Sequence, residues 1–516
     1  ENVPEVVYDG EMWGGSTEEY EDPNTYEMME EEDEVVYDSF GLYDEGGNFV
    51  AESMEYDESE EYYESFEGGG GGGRYATFGW RIPGGECTWP GPTMRMSRGK
   101  TYGLFVRGSG NEDTVTNIHT HGLHIPGHGN ADDVTRTVSG SDVIIYEYHI
   151  PTYHMGGTHW YHAHWHHHSE QFVGGGAFGM LIVEDGSNVG TGVDAGVEAF
   201  LKNEKIFIAS NHEDIYGPFI VNGVEGDLES YDFNSDEWYR LRILTVNLDP
   251  NTSSRTISFG DECQAYAIAH DGIFRFEVPA RTAQNDFSIG DASRLDVAIR
   301  CAFDSTISIN DETVATIKAG QPSTKSVVPS PFKSSIEGQS WSSTRPDYLA
   351  DLRDAITYYT YELKLDETNI NQQTYSLEKP LCLGHSDVQY GSIYEWELRL
   401  SYHPLHLHIY PMQVVSENNE CGENHEYGEF YDTITISNEG RGRSRCKVRI
   451  AFVDVGGKTL MQCHLFKHGD QGAMAFFHVV GGPTQPNEPR VHECASGLCD
   501  EPVSIPLCSS DESLNT

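Results

Sequence analysis

After Arg74, short β-rich runs separated by Gly, Pro, Asn and Asp turns recur along almost the whole chain, and this alternation is its strongest fold constraint. Examples are Tyr102–Val106, Val143–His149, Phe178–Val183, Ile206–Ser210, Trp238–Val246, Thr306–Ile309, Tyr358–Leu365 and Val448–Val453. Long amphipathic helical patterns are scarce. Helices therefore cannot supply the core, and several β-sandwiches in series can. A chain of 516 residues has room for about three or four domains at ~150 residues each. Boundaries are expected at 74–190, 200–335 and 350–485. The Gly/Ser/Pro-rich stretch Pro322–Arg345 serves as a connector, and a cysteine-bearing tail follows over 486–516.

The segment before Arg74 has a different composition. Residues 1–73 carry 25 carboxylates and no Lys or Arg, which accounts for about half of the net charge of −51. Tyrosines sit beside the carboxylates, and Gly68–Gly73 ends the segment as a flexible linker. Such a segment is expected to be a solvated arm. Its apolar spots, Val6-Val7 and Phe40-Gly-Leu42-Tyr43, suggest docking to an extracellular partner or self-assembly. The charge argues against nucleic acid and anionic lipid as partners, and no run reaches the ~18 apolar residues of a membrane span.

Ten cysteines, at 87, 263, 301, 382, 421, 446, 463, 494, 499 and 508, point to an oxidising compartment. No basic segment followed by an apolar one opens the chain at Glu1, so a signal removed before this point and a secreted product are expected. The sequon Asn251-Thr252-Ser253 is compatible with that route.

The 23 histidines concentrate in four clusters: His119-Thr-His121, His159-Trp-Tyr-His162-Ala-His164, His403-Pro-Leu-His406-Leu-His408 and Cys463-His464-Leu-Phe-Lys-His468. On a strand, side chains alternate, so a His-x-His pair presents both imidazoles on one face. Imidazole suits copper, zinc and iron, and two His with one Cys form the blue-copper donor set. A single His-x-His pair is weak evidence for metal. Four clusters, one holding a Cys-His pair, are strong evidence. His166, His167 and His168 run consecutively, cannot converge on one ion, and are expected at the surface or in accessory roles.

These motifs, with Pro90-Gly-Pro-Thr, Gly179-Met-Leu-Ile-Val and Tyr239-Arg-Leu-Arg in the same order, resemble the multicopper oxidase superfamily of laccases, ferroxidases and bilirubin oxidases over roughly residues 75–485. The resemblance implies an all-β chain of three consecutive cupredoxin-like Greek-key sandwiches behind an acidic N-terminal extension. It implies up to four coppers per chain, in type 1, type 2 and binuclear type 3 positions. His403, Cys463 and His468 match the type 1 ligands, and His119 and His406 match the type 2 pair. His121, His162, His164, His408 and His464 match five of six type 3 ligands. Cys463 and His464 are implied as the electron path, and Asp132 or Asp133, with Asn130 nearby, as the proton-relay position.

The chain departs from the family pattern at three places. Gln462 stands where the sixth type 3 histidine is expected, Ala473 occupies the axial type 1 position with Met474 beside it, and Gly469 replaces a relay glutamate, with Asp470 adjacent. Domain placement of the cysteines suggests pairing Cys263 with Cys301, Cys421 with Cys446, and Cys87 with the tail beyond Cys494. The expected activity is one-electron oxidation of a phenolic or metal-ion substrate, Fe(II) or Mn(II), coupled to reduction of O2 to water. The alternative is an oxidase-derived extracellular structural or assembly protein with partial copper occupancy.

Overall fold

A computed structural model describes residues 38–43, 49–59, 77–81, 87–107, 115–185, 200–211, 219–224, 228–249, 251–278, 283–324, 341–342, 345–377, 388–417, 420–422, 424–436 and 445–483. The chain is all-β, and its large sheets occur as three consecutive pairs. In the first pair, one sheet runs Val143–Ile150, Lys100–Arg107, Asp38–Tyr43, Phe49–Ser59, Thr77–Arg81 and Cys87–Thr88, and the other runs Met94–Met96, Phe178–Val183, Gly157–His162 and His119–His121. Leu104, Tyr146 and Tyr148 from one sheet share a buried apolar cluster with Met94, Tyr161, Leu181 and Val183 from the other. Alternation explains the packing. Val143–Ile150 buries every second residue and exposes or half-exposes the rest.

The second pair is built the same way around Phe207, Leu241, Ile257, Val297 and Ile307. The third is built around Leu363, Trp396, Met412, Val448, Met461 and Phe477. In the third pair, one sheet orders Val388–Gln389, Met474–Val480, Gly457–Cys463, Leu405–Leu407 and Thr433–Ile434. Two short helices, Ser169–Gly174 and Phe466–Asp470, each follow a histidine-bearing strand.

The first sheet reaches further back than the sequence suggests. Asp38–Tyr43 pairs antiparallel with Lys100–Arg107, and Phe49–Ser59 pairs with Asp38–Tyr43, so part of the acidic segment assigned to an arm forms strands of this sandwich. An unpaired edge offers a row of backbone donors and acceptors, and these pair irrespective of side-chain charge. The connector also contributes: Trp341–Ser342 pairs with Glu277–Val278. Cys263 and Cys301, register partners on adjacent strands, are disulfide-bonded, as are Cys421 and Cys446. Cys463 is free and buried. The pairing of Cys87 with the tail, the tail 486–516 itself and the docking role of residues 1–37 lie outside the described residues.

Candidate metal centre

One strand organises the chemistry. Gly457–Cys463 pairs antiparallel with Leu405–Leu407, setting Cys463 opposite Leu405 and Gln462 opposite His406. Directly opposed residues share a face and neighbours along a strand do not, so Cys463 turns into the third sandwich while Gln462 turns the other way, with His406. Two pockets arise on the two faces.

On the Cys463 face, Sγ lies 3.5 Å from His403 Nδ1 and 3.8 Å from His468 Nδ1, and the two nitrogens are 3.0 Å apart. Burial holds His403 down to about 4 and lowers His468, so both rings present lone pairs. Burial pushes the Cys463 thiol far up, so a thiolate here requires the charge of a bound cation. Tyr402 stacks on His403 at 4.3 Å between ring centroids and forms a wall of this pocket. Ala473 is fully buried; its carbonyl accepts the Cys463 N–H at 2.8 Å, and its short side chain offers no donor atom.

On the other face, histidines from the first and third sandwiches interleave. The register Trp160↔His121 and His162↔His119 puts His119, His121 and His162 on one face of the first sandwich's inner sheet. His119 Nδ1–H donates to Asp132 Oδ2 at 2.7 Å, and His406 Nδ1–H donates to the Asp432 carbonyl at 3.0 Å. Their Nε2 atoms therefore face each other as two acceptors, 3.3 Å apart. His162 Nδ1–H donates to the Ala163 carbonyl, leaving its Nε2 lone pair 3.1 Å from His121 Nε2, which is in turn 2.9 Å from His464 Nε2. The buried His119 and His406 lone pairs, facing each other at 3.3 Å, repel unless a cation lies between them. His164 Nε2 and His408 Nε2 are also buried, with no hydrogen-bond partner. Burial, reinforced by the crowding of like rings, lowers His119, His121, His162, His408 and His464 well below the ordinary range and His164 to about 4, so all are neutral ligands in waiting. These residues fit copper, and the sets His119/His121/His162, His119/His406/His408 and His403/Cys463/His468 can each hold an ion.

The two acids expected near the relay position separate. Asp132 reaches the cluster through His119 and also accepts the Thr120 N–H; burial raises its pKa. Asp133 does not reach the cluster; it accepts from Lys458 Nζ at 2.7 Å and from Thr135. Asp470 lines the cavity formed with His162, His164, Gln462 and His464, but its oxygens accept the N–H groups of Ser169 and Glu170. His167 and His168 are exposed, as expected, but His166 is not at the surface: it is buried, with neither ring nitrogen hydrogen-bonded, and lies tilted against His167 at 3.9 Å.

Sequence reasoning missed a set of residues from the second sandwich. Arg294 donates to Asp432 through both terminal nitrogens and to the Thr158 carbonyl, thereby touching all three sandwiches. Asp271 accepts the backbone N–H groups of Asp432 and Thr433, whose segment carries the carbonyl that holds His406. Gly122, at φ +84°, gives these groups room; a Cβ there would lie 2.5 Å from His159 Nδ1 and 2.8 Å from Arg294 Nη2. No local sequence pattern marks these contacts, because they form only when the sandwiches dock.

Multicopper oxidase family models match residues 82–188 and 356–482, the two sandwiches that contribute histidines. The chain belongs to the multicopper oxidase superfamily. Among solved structures, this oxidase is similar to a laccase-like multicopper oxidase from the lignin-degrading bacterium Ochrobactrum sp., at 18% identity and TM-score 0.61, covering 78% of this chain and 93% of that one. A Campylobacter jejuni multicopper oxidase described as a metallo-oxidase gives 17% and 0.58, covering 83% and 90%. A Pediococcus acidilactici laccase gives 18% and 0.60, covering 83% and 88%. At these identities the structural likeness establishes the fold. No curated protein matches the chain by sequence. The chain is a copper-dependent, oxygen-using oxidase.

Proposed function

We propose that this multicopper oxidase is secreted and couples one-electron oxidation of a phenolic or metal-ion substrate to the four-electron reduction of O2 to water. The carrying observation is the placement of Cys463 and His464, consecutive residues, on opposite sides of one strand: the thiol faces His403 and His468, and the imidazole faces His121. Copper, when bound, supplies one-electron exchange at the first pocket and the binding and reduction of oxygen at the second. The peptide between Cys463 and His464 is the covalent connection between them.

The protein's own groups do the rest. Asp132 orients His119, and the Asp432 carbonyl with Thr433 Oγ1 orients His406, keeping each Nε2 directed inward. Tyr402 and the nearly buried rings of His403 and His468 keep water from the thiolate. A net charge of −51 draws cations toward the surface, which supports Fe(II) or Mn(II) over neutral phenols. Two disulfides support export, since such bonds persist in oxidising compartments.

Oxygen consumption by copper-loaded protein tests the substrate reading. With Fe(II), the rate should fall steeply as salt rises, whereas with a neutral phenol it should not change. A salt-independent Fe(II) rate below the phenol rate would reject the metal-ion assignment. Recovery of the protein from culture medium tests export.

A further inference from the structure

The seam between the first and third sandwiches is unequal in its donors. His121, His162 and His464 converge through three Nε2 atoms at 3.1 and 2.9 Å. The neighbouring position is bounded by His164 and His408, whose ring centroids are 5.3 Å apart and whose Nε2 atoms have no partner. Its third side is Gln462, which shares a strand face with His406 and lines one cavity with His164. A neutral carboxamide is a much poorer copper donor than imidazole.

No other described residue supplies the missing imidazole. His159 lies one strand position off the face used by His162 and points at Gly122 and Gly272. His166 packs between His167, at 3.9 Å, and the edge of Tyr375, at 4.9 Å. Asp470 could reach inward only by abandoning the backbone N–H groups of Ser169, at 3.2 Å, and Glu170, at 2.9 Å.

We infer that the His164/His408/Gln462 position is the weak copper site of this oxidase, emptied under conditions that leave the His121/His162/His464 ion bound without a coupled neighbour. The inference rests on the proposed reading of the seam as a copper cluster. Replacing one imidazole by an amide weakens this position by more than the 10–100-fold typical of losing a supporting hydrogen bond around a ligand. The retained ion then keeps an unpaired electron that a bridged pair of Cu(II) ions would cancel.

The test loads the full chain with Cu(II), dialyses it against a chelator, and measures total copper by elemental analysis and paramagnetic copper by integrated electron paramagnetic resonance. Wild-type protein should retain about three coppers per chain, all of them paramagnetic. Gln462→His should retain about four, with only two paramagnetic, and should bind its last copper at least tenfold more tightly. Four coppers with two paramagnetic in the wild type would overturn the inference, and that count decides by itself should Gln462→His fail to fold. A single copper at Cys463 would instead overturn the cluster reading.

Discussion

The two faces of the strand Gly457–Cys463 give two pockets of different construction. The Cys463 pocket lies inside one sandwich. Its three donors come from a loop, a strand and a short helix of the same core, and it forms when that core packs. The seam pocket has donors from two sandwiches and is held in register by Arg294 and Asp271 from the one between them. A departure in ligand type is therefore felt differently on each side. Ala473 leaves the three strong donors of the first pocket in place, while Gln462 removes a donor from the second.

The largest effect should come from Cys463→Ser. Oxygen uptake should fall by more than about 100-fold and the blue colour should vanish, while copper at the seam stays bound, as elemental analysis will show. Loss of all copper would mean the pockets are not independent. Acidification should also separate the pockets when the protein is metal-free. Imidazoles with depressed folded pKa values leave the unfolded chain binding more protons below about 6.5, so stability is full above that pH and declines as pH falls toward 4. Asp132, Asp271, Asp291 and Asp470, all raised by burial, act in the opposite sense, but the depressed histidines outnumber these four. The seam has the most such rings, so the melting temperature of metal-free protein should fall over this range, and copper loading should abolish most of the loss.

Asp432→Ala removes the bidentate partner of a fully buried guanidinium, which keeps Asp271 at 3.4 Å, and should cost about 3 kcal/mol, with seam copper lost before the Cys463 copper. Equal loss at both pockets would refute the role of the second sandwich in seating the seam. The smallest change expected is from Ala473→Met. A larger side chain at a fully buried position costs about 1–3 kcal/mol and supplies a weak axial thioether. The reduction potential at Cys463 should fall, measured by redox titration, and the seam copper count should not move.

Much of this was legible in the sequence because period-two alternation and His-x-His spacing are local. A strand that carries His119 and His121 shows both on one face whatever it later packs against. The disulfides Cys263–Cys301 and Cys421–Cys446 were also readable from domain placement. What was not legible depends on docking or on loop geometry. Asp132 and Asp133 are adjacent in sequence, and only the fold of their loop sends one to His119 and the other to Lys458. Arg294, Asp271 and Asp432 lie in unremarkable strand and turn sequences and acquire a role only where three sandwiches meet. Asp38–Tyr43 and Phe49–Ser59 read as arm because of their charge and become strands because an edge was open.

His403, Cys463 and His468 form a copper pocket with a thiolate donor. Stepwise addition of copper to metal-free protein, followed by visible absorption, tests it most directly. An intense blue charge-transfer band should appear, saturate at one copper per chain and be absent from Cys463→Ser. A fully copper-loaded protein without that band, or one whose Cys463 is still alkylated while folded, would contradict it.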